Sequence, residues 1–319
     1  MDFRQLKYFT MVAEAKSFTR AAELLGLAQP ALSNQMLKLE EELQEQLFIR
    51  HSRGIELTDA GRRLLSHART ILHQVDVAVE DVRGARDEPE GLVRVGMPRS
   101  MGEILAVKLL QEARRRAPAM SVRIVEHFSE SLYALLLERE LDIALTYSTE
   151  NSVRVVAELI SLQRLSLISP VNSDLPSADQ IALSSAMQLP LILGSPPHVV
   201  RKLLAAAAME NGTLPNVVHE MDSLQTTLSM VEGGLGHTVL PATLAAKAAQ
   251  EGLVEVRTIV SPEVIRKLHL VRPAQSTPTR AQLLIRNLLM ELLQQLPPAA
   301  CEVAIPMPFH DVEKRRHMF

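Results

Sequence analysis

The chain has a single cysteine, and this scarcity excludes a disulfide framework within it. Cys301 has no possible partner among the 319 residues, which fits a reducing compartment. The first stretch, MDFRQLKYFTMVAEAKSF, scatters its charges and lacks the continuous apolar segment of a secretory signal. No run approaches the roughly 18 apolar residues of a membrane span. We therefore expect a cytoplasmic protein that does not use a membrane as a partner.

Motifs for catalysis are also missing. The sequence has no glycine-rich loop for phosphate and no histidine or cysteine cluster with the spacing of metal ligands. GGLG at 233–236 is a turn too short for a dinucleotide fingerprint, and GSPPH at 194–198 is not a nucleophile elbow. We predict no catalytic residue, no metal site and no cofactor, hence a protein that is not an enzyme.

The charge of the chain is nearly balanced, which excludes a basic coat for nucleic acid. The net charge is −3, and residues 1–66 hold nine Lys/Arg and nine Asp/Glu. Their distribution is uneven, however, because acids gather at 40–45 and bases lie before them and at 50–53. A basic corner of this kind predicts local contact with an anionic partner rather than a diffuse one.

The first 43 residues have the pattern of three short helices. Apolar residues recur at helical spacing over 3–15, and SFTRAAELLG begins a second helix that ends at Gly26. A third helix opens near Gln29, and Pro30 suits its first turn because an N–H there has no partner within the helix. Two short helices joined by a tight glycine turn predict a helix-turn-helix.

The outer face of the third helix and the next segment both favour DNA binding. Gln29, Ser33, Asn34 and Lys38 lie off the apolar stripe and can contact base edges and phosphates. A solvated helix face would explain these four residues equally well. LFIRHSRGIELT, however, predicts a two-stranded wing with Arg50, His51 and Arg53 at its tip, and a wing arginine can enter a flanking minor groove.

A long helix follows from Thr58 to Arg86, and its apolar residues have heptad spacing. The seam is Leu65, Ala68, Leu72, Val75, Val79 and Val82. One side of an ordinary amphipathic helix would look similar. We favour a dimer seam, because a protein with one small recognition helix needs a second copy for DNA affinity.

The last two-thirds alternate apolar strands with helices after a polar hinge, DEPEG at 87–91. This alternation predicts a mostly parallel sheet covered by helices. VRIVEHFSESLYALLLERELDIAL and NVVHEMDSLQTTLSMVEGGLGHTVL share one plan, which suggests two similar lobes with a ligand at the strand ends between them. Serines at several helix starts would make an anion site there, unless each serine only caps its helix. His237 is interpreted as a structural histidine.

The segments FRQLKYF, SFTRAAELLGLAQPALSNQMLKLEEEL and LFIRHSRGIELTDAGRRLL together resemble the winged helix-turn-helix of LysR-type transcriptional regulators. The resemblance extends over roughly residues 1–296 and is closest to the branch with the nitrogen assimilation control regulators. Ala28 departs from the pattern, since many members have Ser or Thr at that helix cap. Promoter DNA, a small-molecule effector and a second copy of the chain are the partners that this resemblance implies.

The resemblance implies an α/β fold class with a winged helix-turn-helix, a long linker helix and a two-lobed effector domain like a periplasmic binding protein. We expect the DNA-binding domain at 1–58, the linker helix at 59–88, lobe I at 89–161 and 268–296, lobe II at 162–267 and a tail at 297–319. Lobe crossovers fall near Ile160–Ser161 and Leu268–His269. The linker helix makes a dimer, and only the resemblance implies a tetramer as a dimer of dimers.

Two sets of site residues follow from these patterns and from the resemblance. The set assigned to DNA is Thr19, Arg20, Gln29, Pro30, Ser33, Asn34, Lys38, Arg50 and Arg53. The set assigned to an effector, most simply an anion or carboxylate, is Arg99, Ser100, Met101, Ser129, Tyr147, Ser195, His198 and Thr226. A solute-binding protein without DNA binding is the alternative function.

Overall fold

The computed structural model describes residues 1–51, 54–83, 88–149, 153–171, 173–176, 178–196, 198–274 and 276–296, with the backbone of 302–303. The chain divides into two compact units, one built mainly on residues 1–88 and the other mainly on residues 89–274 and 281–296. Within the described residues, no helix has the length and apolar character to cross a membrane.

The first unit is a helix-turn-helix with a wing and a long helix. Its elements are α1 (Phe3–Ala15), α2 (Phe18–Leu25), α3 (Gln29–Leu43), β1 (Phe48–His51), β2 (Gly54–Leu57) and α4 (Asp59–Arg83). Asp2 and Gln5 form a capping box on α1, and Ser17 caps α2. Ala28 gives α3 no side-chain cap, as its departure from the family pattern predicts. The two wing strands pair in antiparallel register, Phe48 with Leu57.

The core of the first unit includes part of α4. Phe9, Phe18 and Phe48 are buried, with ring centroids 5.3 Å (Phe9–Phe48) and 5.4 Å (Phe18–Phe48) apart. Leu65 and Ala68 of α4 are buried in the same cluster. The prediction of one continuous dimer seam on this helix is therefore wrong in its first half, because those side chains pack within their own domain. The apolar residues left exposed near the end of α4 include Val79 and Val82.

The second unit is an α/β domain. Its first elements are β3 (Gly91–Met97), α5 (Arg99–Arg116), β4 (Met120–Glu126), α6 (Ser129–Leu137), β5 (Ile143–Thr146) and β6 (Val155–Pro170). The next are β7 (Gln180–Ala182), α7 (Leu183–Gln188), β8 (Leu191–Leu193), α8 (Val199–Glu210), β9 (Val217–Glu220), α9 (Leu224–Glu232) and β10 (Thr238–Pro241). A 3-10 turn (Ala242–Leu244), α10 (Ala246–Gln250), β11 (Val254–Val260), β12 (Ile265–Pro273), α11 (Arg280–Gln294) and β13 (Glu302–Val303) complete it.

The sheet of this unit is mixed, so the expectation of a mostly parallel sheet is wrong. β3 pairs in parallel with β4 and β5, β8 with β9, and β7 with β11. The long strands β6 and β12 instead run antiparallel to each other and to the strands beside them. The antiparallel pairing arises because these two strands carry the chain from one lobe to the other and back.

The two lobes meet along β6 and β12. β6 pairs with β12 as far as Arg164, with β10 from Leu165 onward and with β11 from Ser166 onward. The register of β12 shifts between Leu268 and His269, at a position where the family resemblance implies a crossover. Each lobe has its own apolar core, one under α5 and α11 and one under α7 and α8. The limits of lobe I (89–161 and 268–296) and lobe II (162–267) stay a prediction.

Candidate functional site

The polar face predicted for DNA lies at the surface of the first unit. Six of the nine assigned side chains are exposed on α2 and α3, namely Thr19, Arg20, Gln29, Pro30, Asn34 and Lys38. Ser33, a seventh, is partly exposed on α3. The amide of Gln29 donates to the Ser33 hydroxyl at 2.9 Å, one helical turn away. Buried Leu32, Met36 and Leu39 fix the opposite face of α3, which leaves this polar face free for a groove.

The wing presents a basic side chain beside that helix. Arg50 is exposed on β1, and its guanidinium lies 4.8 Å from the ring centroid of Phe18. This cation–π contact holds the long side chain in one place without removing its charge. Arg53, the other arginine assigned to DNA, lies outside the described residues.

A contact that the sequence did not reveal ties α3 to the wing. One carboxylate oxygen of Glu40 accepts hydrogen bonds from the backbone N–H groups of Leu47, at 2.7 Å, and Phe48, at 3.2 Å. The hydroxyl of Thr58 donates to the Gln46 carbonyl at 2.6 Å and accepts from the N–H of Gly61. Both ends of the wing are therefore tied to helices, α3 on one side and α4 on the other.

The second unit has a cavity of about 110 Å³ between its lobes, called here the lobe cleft. Four helices, α5, α6, α8 and α9, contribute residues from their first turns to its lining. The first residues of α5 and α6 have no side-chain cap, since their N-cap residues are Pro98 and Phe128. Helix N-termini carry partial positive charge and N–H groups without helical partners, so the arrangement favours a negatively charged group.

The lobe I side of the cleft joins two of the predicted serines through a tyrosine. The Ser100 hydroxyl lies 3.3 Å from the Tyr147 hydroxyl, and the Ser129 hydroxyl accepts from the backbone N–H of Tyr147 at 3.0 Å. Neither serine caps its helix. The alternative in which these serines only cap helices therefore does not describe Ser100 or Ser129.

A buried arginine in the lining was missed from the sequence. Arg266 on β12 is 3% exposed, and its guanidinium lies 4.0 Å from the ring centroid of Tyr147 and donates to Gln163 at 2.6 Å. Its strand reads as an ordinary apolar one, IRKLHLVRP, and no sequence signal distinguishes Arg266 from the exposed Lys267 beside it. Arg266 gives the cleft a cation that Arg99 alone was expected to provide.

The lobe II side is organised around an aspartate. Asp222, in the loop after β9, accepts hydrogen bonds from the N–H and the hydroxyl of Ser195 at 2.8 and 2.9 Å. The backbone N–H of Ser195, and then its hydroxyl, lower the pKa of Asp222 below its ordinary value, and His198 and Arg99 act in the same direction. Asp222 is therefore a carboxylate at neutral pH.

His198 is a helix cap inside the cleft. Its Nδ1 accepts from the N–H of Val200 at 3.3 Å, and its ring meets the ring of Phe128 edge-on, with centroids 5.9 Å apart. Burial lowers the pKa of His198 below its ordinary value, and the nearby Arg266 adds to this, against the opposing carboxylates of Asp222 and Glu130. The imidazole is therefore neutral near pH 7, as its acceptor role requires.

The structure brings five of the eight assigned effector residues into the lining, Arg99, Ser100, Ser129, Tyr147 and His198. The other three are not in it. Met101 is 1% exposed in the lobe I core, Ser195 is bonded to Asp222, and Thr226 contacts the capping residue Ser223. Thr227 lines the cleft in place of Thr226. His237, interpreted as structural, is buried, and its Nδ1 is hydrogen-bonded to the Ser169 hydroxyl at 3.0 Å.

Comparison with known proteins covers almost the whole described chain. Residues 3–62 match the family model "Bacterial regulatory helix-turn-helix protein, lysR family", and residues 86–294 match "LysR substrate binding domain". The nitrogen assimilation regulatory protein nac of Escherichia coli K12 is 31% identical over 92% of this chain and 95% of its own length.

Solved structures of the same architecture are also similar. A full-length OxyR variant from Pseudomonas aeruginosa has a TM-score of 0.81 at 25% identity and covers 97% of this chain and 99% of its own. Full-length CbnR in complex with its target DNA has a TM-score of 0.53 at 22% identity over 92% of this chain and 99% of its own. The chain therefore belongs to the LysR family of bacterial transcriptional regulators, in which a DNA-binding helix-turn-helix is joined to an effector-binding domain.

Proposed function

We propose that this regulator reads promoter DNA with α3 and holds the flanking backbone or minor groove with its wing. The observation that carries this proposal is the exposed polar face of α3 beside Arg50, on a domain fixed by its apolar core. Asn34 and Ser33 have the chemistry to read base edges, whereas Arg50 and Lys38 suit phosphate. The complex of the related CbnR with its target DNA supports this partner.

The DNA-bound form is a homodimer joined by the C-terminal half of α4, and a tetramer forms as a dimer of dimers. Exposed apolar residues there support the dimer, since Val82 is 87% and Val79 41% exposed. The tetramer rests on the family alone. A protein that acts on promoter DNA works in the cytoplasm, with no membrane partner.

The lobe cleft binds a small effector with a carboxylate or similar anionic group. Uncapped N-termini of α5 and α6, the hydroxyls of Ser100 and Ser129 and the buried Arg266 support this assignment. The effector can change DNA binding only by as much as its affinity differs between two arrangements of the lobes. A tenfold change in DNA affinity needs about 1.4 kcal/mol of coupling, which one or two hydrogen bonds can supply.

A gel shift with the DNA that flanks the gene of this protein tests the regulator against a solute-binding protein without DNA contact. The wild type is expected to shift that DNA, and Asn34→Ala is expected to lose preference for it. A solute-binding protein would bind neither that DNA nor a scrambled duplex. Ser100→Ala tests the effector half, because it should abolish the response to effector while DNA binding without effector stays within a few-fold.

A further inference from the structure

The charges that line the lobe cleft are balanced, which does not suit a ligand with negative charge alone. Two guanidinium groups, of Arg99 and Arg266, and two carboxylates, of Glu130 and Asp222, face the cleft. A ligand with only anionic groups would gain from the first pair and be repelled by the second. The two carboxylates of the lining therefore indicate that the ligand has a further group besides the anion expected at helix N-termini.

The two carboxylates differ in how they are compensated. Glu130 has its own cation, because Lys202 on α8 lies 2.6 Å from it. Asp222 accepts from two groups of Ser195, both neutral, and both bonds fall on the same oxygen, Oδ1. Across the part of the chain that the structure describes, no ion pair within 4.0 Å includes Asp222. Asp222 is thus an ionised group of the cleft with an oxygen available to a ligand.

The N-termini of α5 and α6 lie on the lobe I side of the cleft, whereas Asp222 lies on the lobe II side. Ser100, Ser129 and Tyr147 belong to lobe I, and Arg266 on β12 stacks on Tyr147. Asp222 follows β9 of lobe II and is bonded to the loop after β8. Apolar side chains such as Phe128, Val199 and Leu240 line the cleft as well.

We propose that the effector is a small zwitterion of the amino-acid type, whose ammonium group binds Asp222. Its carboxylate binds the N-termini of α5 and α6 with Ser100 and Arg266, and its side chain lies against the apolar lining. This rests on the proposed function of the cleft and narrows the chemical class of its ligand. A ligand with opposite charges at opposite lobes also provides the preference for one lobe arrangement that regulation requires.

Matched ligand pairs test the proposal on the full-length chain by thermal shift and calorimetry. The probes are L-leucine with 4-methylpentanoate, L-phenylalanine with 3-phenylpropanoate, and L-glutamate with glutarate. In each pair the carboxylate and carbon skeleton are kept and only the ammonium group differs. We expect at least one amino acid to bind about tenfold or more tightly than its partner acid, which corresponds to about 1.4 kcal/mol.

Asp222→Asn should abolish that preference, because the amide keeps the shape and lacks the charge. Glu232→Gln, an exposed acid on α9, is the charge-matched control and should keep it. Ser195→Ala disturbs the support of Asp222 without removing its charge, so it should also keep the preference even if it lowers the melting temperature. This variant separates loss of ammonium binding from simple loss of stability.

Two different failures are distinguishable. If the acids bind as tightly as the amino acids, or if Asp222→Asn keeps the preference, the zwitterion proposal is overturned while the anion site in the cleft stands. If no probe of either kind binds the wild type, the carboxylate site of the proposed function fails and this inference fails with it.

Discussion

The carboxylate of Glu40 on α3 accepts a hydrogen bond from the backbone N–H of Leu47 at 2.7 Å, at the residue just before the wing. The same oxygen accepts from Phe48 at 3.2 Å. One side chain therefore fixes the distance between the helix and the hairpin that we propose contact DNA together. Because this carboxylate is bonded to backbone N–H groups of the chain itself, we expect Glu40 to position both elements.

Glu40→Ala should destabilise the first unit and weaken DNA binding at every sequence. It leaves two N–H groups without their acceptor, and a hydrogen bond to a charged group contributes about 1.5–3 kcal/mol. Urea unfolding and a salt-controlled binding assay measure the two effects. Glu41→Ala, at an exposed neighbour, is the matched control and should change the unfolding free energy by less than about 0.5 kcal/mol. Equal behaviour of the two variants would contradict the positioning role.

Asn34 and Arg50 should fail in different ways when each is replaced by alanine. Asn34→Ala should cost about 1–3 kcal/mol at the preferred site and relax specificity at one base pair. Arg50→Ala should weaken binding to all sequences alike and reduce the salt dependence of the affinity by about one phosphate contact. Binding to a panel of single-base operator variants at several salt concentrations separates the two. An unchanged preference in Asn34→Ala would mean that α3 does not read the site.

The elements of the first unit were predictable because each has a strong local signal. Helical spacing, the Gly26 stop and the Ser-Arg-Gly turn gave three helices and a wing at nearly their observed bounds. The Glu40 contact was not predictable, because Glu40 lies in the acidic run at 40–45 that reads as a solvated helix end. A hydrogen bond between residues seven positions apart depends on how the chain turns after α3, which periodicity does not encode.

In the second unit the sequence predicted strands and helices better than pairing. The alternation of strands and helices is confirmed, whereas the expectation of a mostly parallel sheet is wrong. The direction of strand pairing cannot be read from the sequence, because a strand with parallel neighbours and one with antiparallel neighbours have the same run of apolar residues. Arg266 lies in the cleft because of how β12 pairs, and Asp222 because of the loop after β9. No sequence motif encodes either position.

Gly61 should not tolerate a side chain. A Cβ at this position would lie 2.2 Å from the backbone carbonyl oxygen of Leu47 and 2.9 Å from a methyl group of Leu57. Because the first of these is backbone, the first turn of α4 would have to move away from the wing. Gly61→Ala should cost about 1–3 kcal/mol, although alanine favours helices intrinsically. Chemical unfolding measures the loss, and a variant as stable as the wild type would mean that α4 moves at little cost.

The corrected seam on α4 predicts which substitutions affect assembly. Val82→Asp should shift the protein toward monomers while the fold persists, because Val82 is exposed within one chain and a charge in a dimer seam is costly. Leu65→Ala should instead lower stability by about 2–5 kcal/mol, since Leu65 is buried in its own domain. Sedimentation and unfolding on both variants test this separation. A wild-type monomer at micromolar concentration would remove the basis for the dimer.

Acidification should destabilise the second unit through three histidines, of which His237 is buried and His198 and His269 are partly buried. Burial lowers the folded-state pKa of His198, His237 and His269 below the ordinary value, which is about 6.5. The unfolded chain then binds more protons than the folded one below that value, so the free energy of unfolding falls as the pH drops from about 7 toward 5. Above about pH 8 the three imidazoles are neutral in both states, and this loss is absent.

His198→Asn isolates the contribution of the histidine in the lobe cleft. Asparagine can still cap α8 by accepting from the N–H of Val200, but it does not titrate. We expect the variant to be close to the wild type in stability near pH 7 and more stable than it near pH 5, with His237 and His269 giving both proteins a residual slope. Urea midpoints at several pH values measure the difference. Parallel pH profiles for the two proteins would contradict this prediction, because they would show that protonating His198 costs the folded state nothing. The contacts of His198 with Phe128 and α8 bury the ring and are the reason to expect a cost.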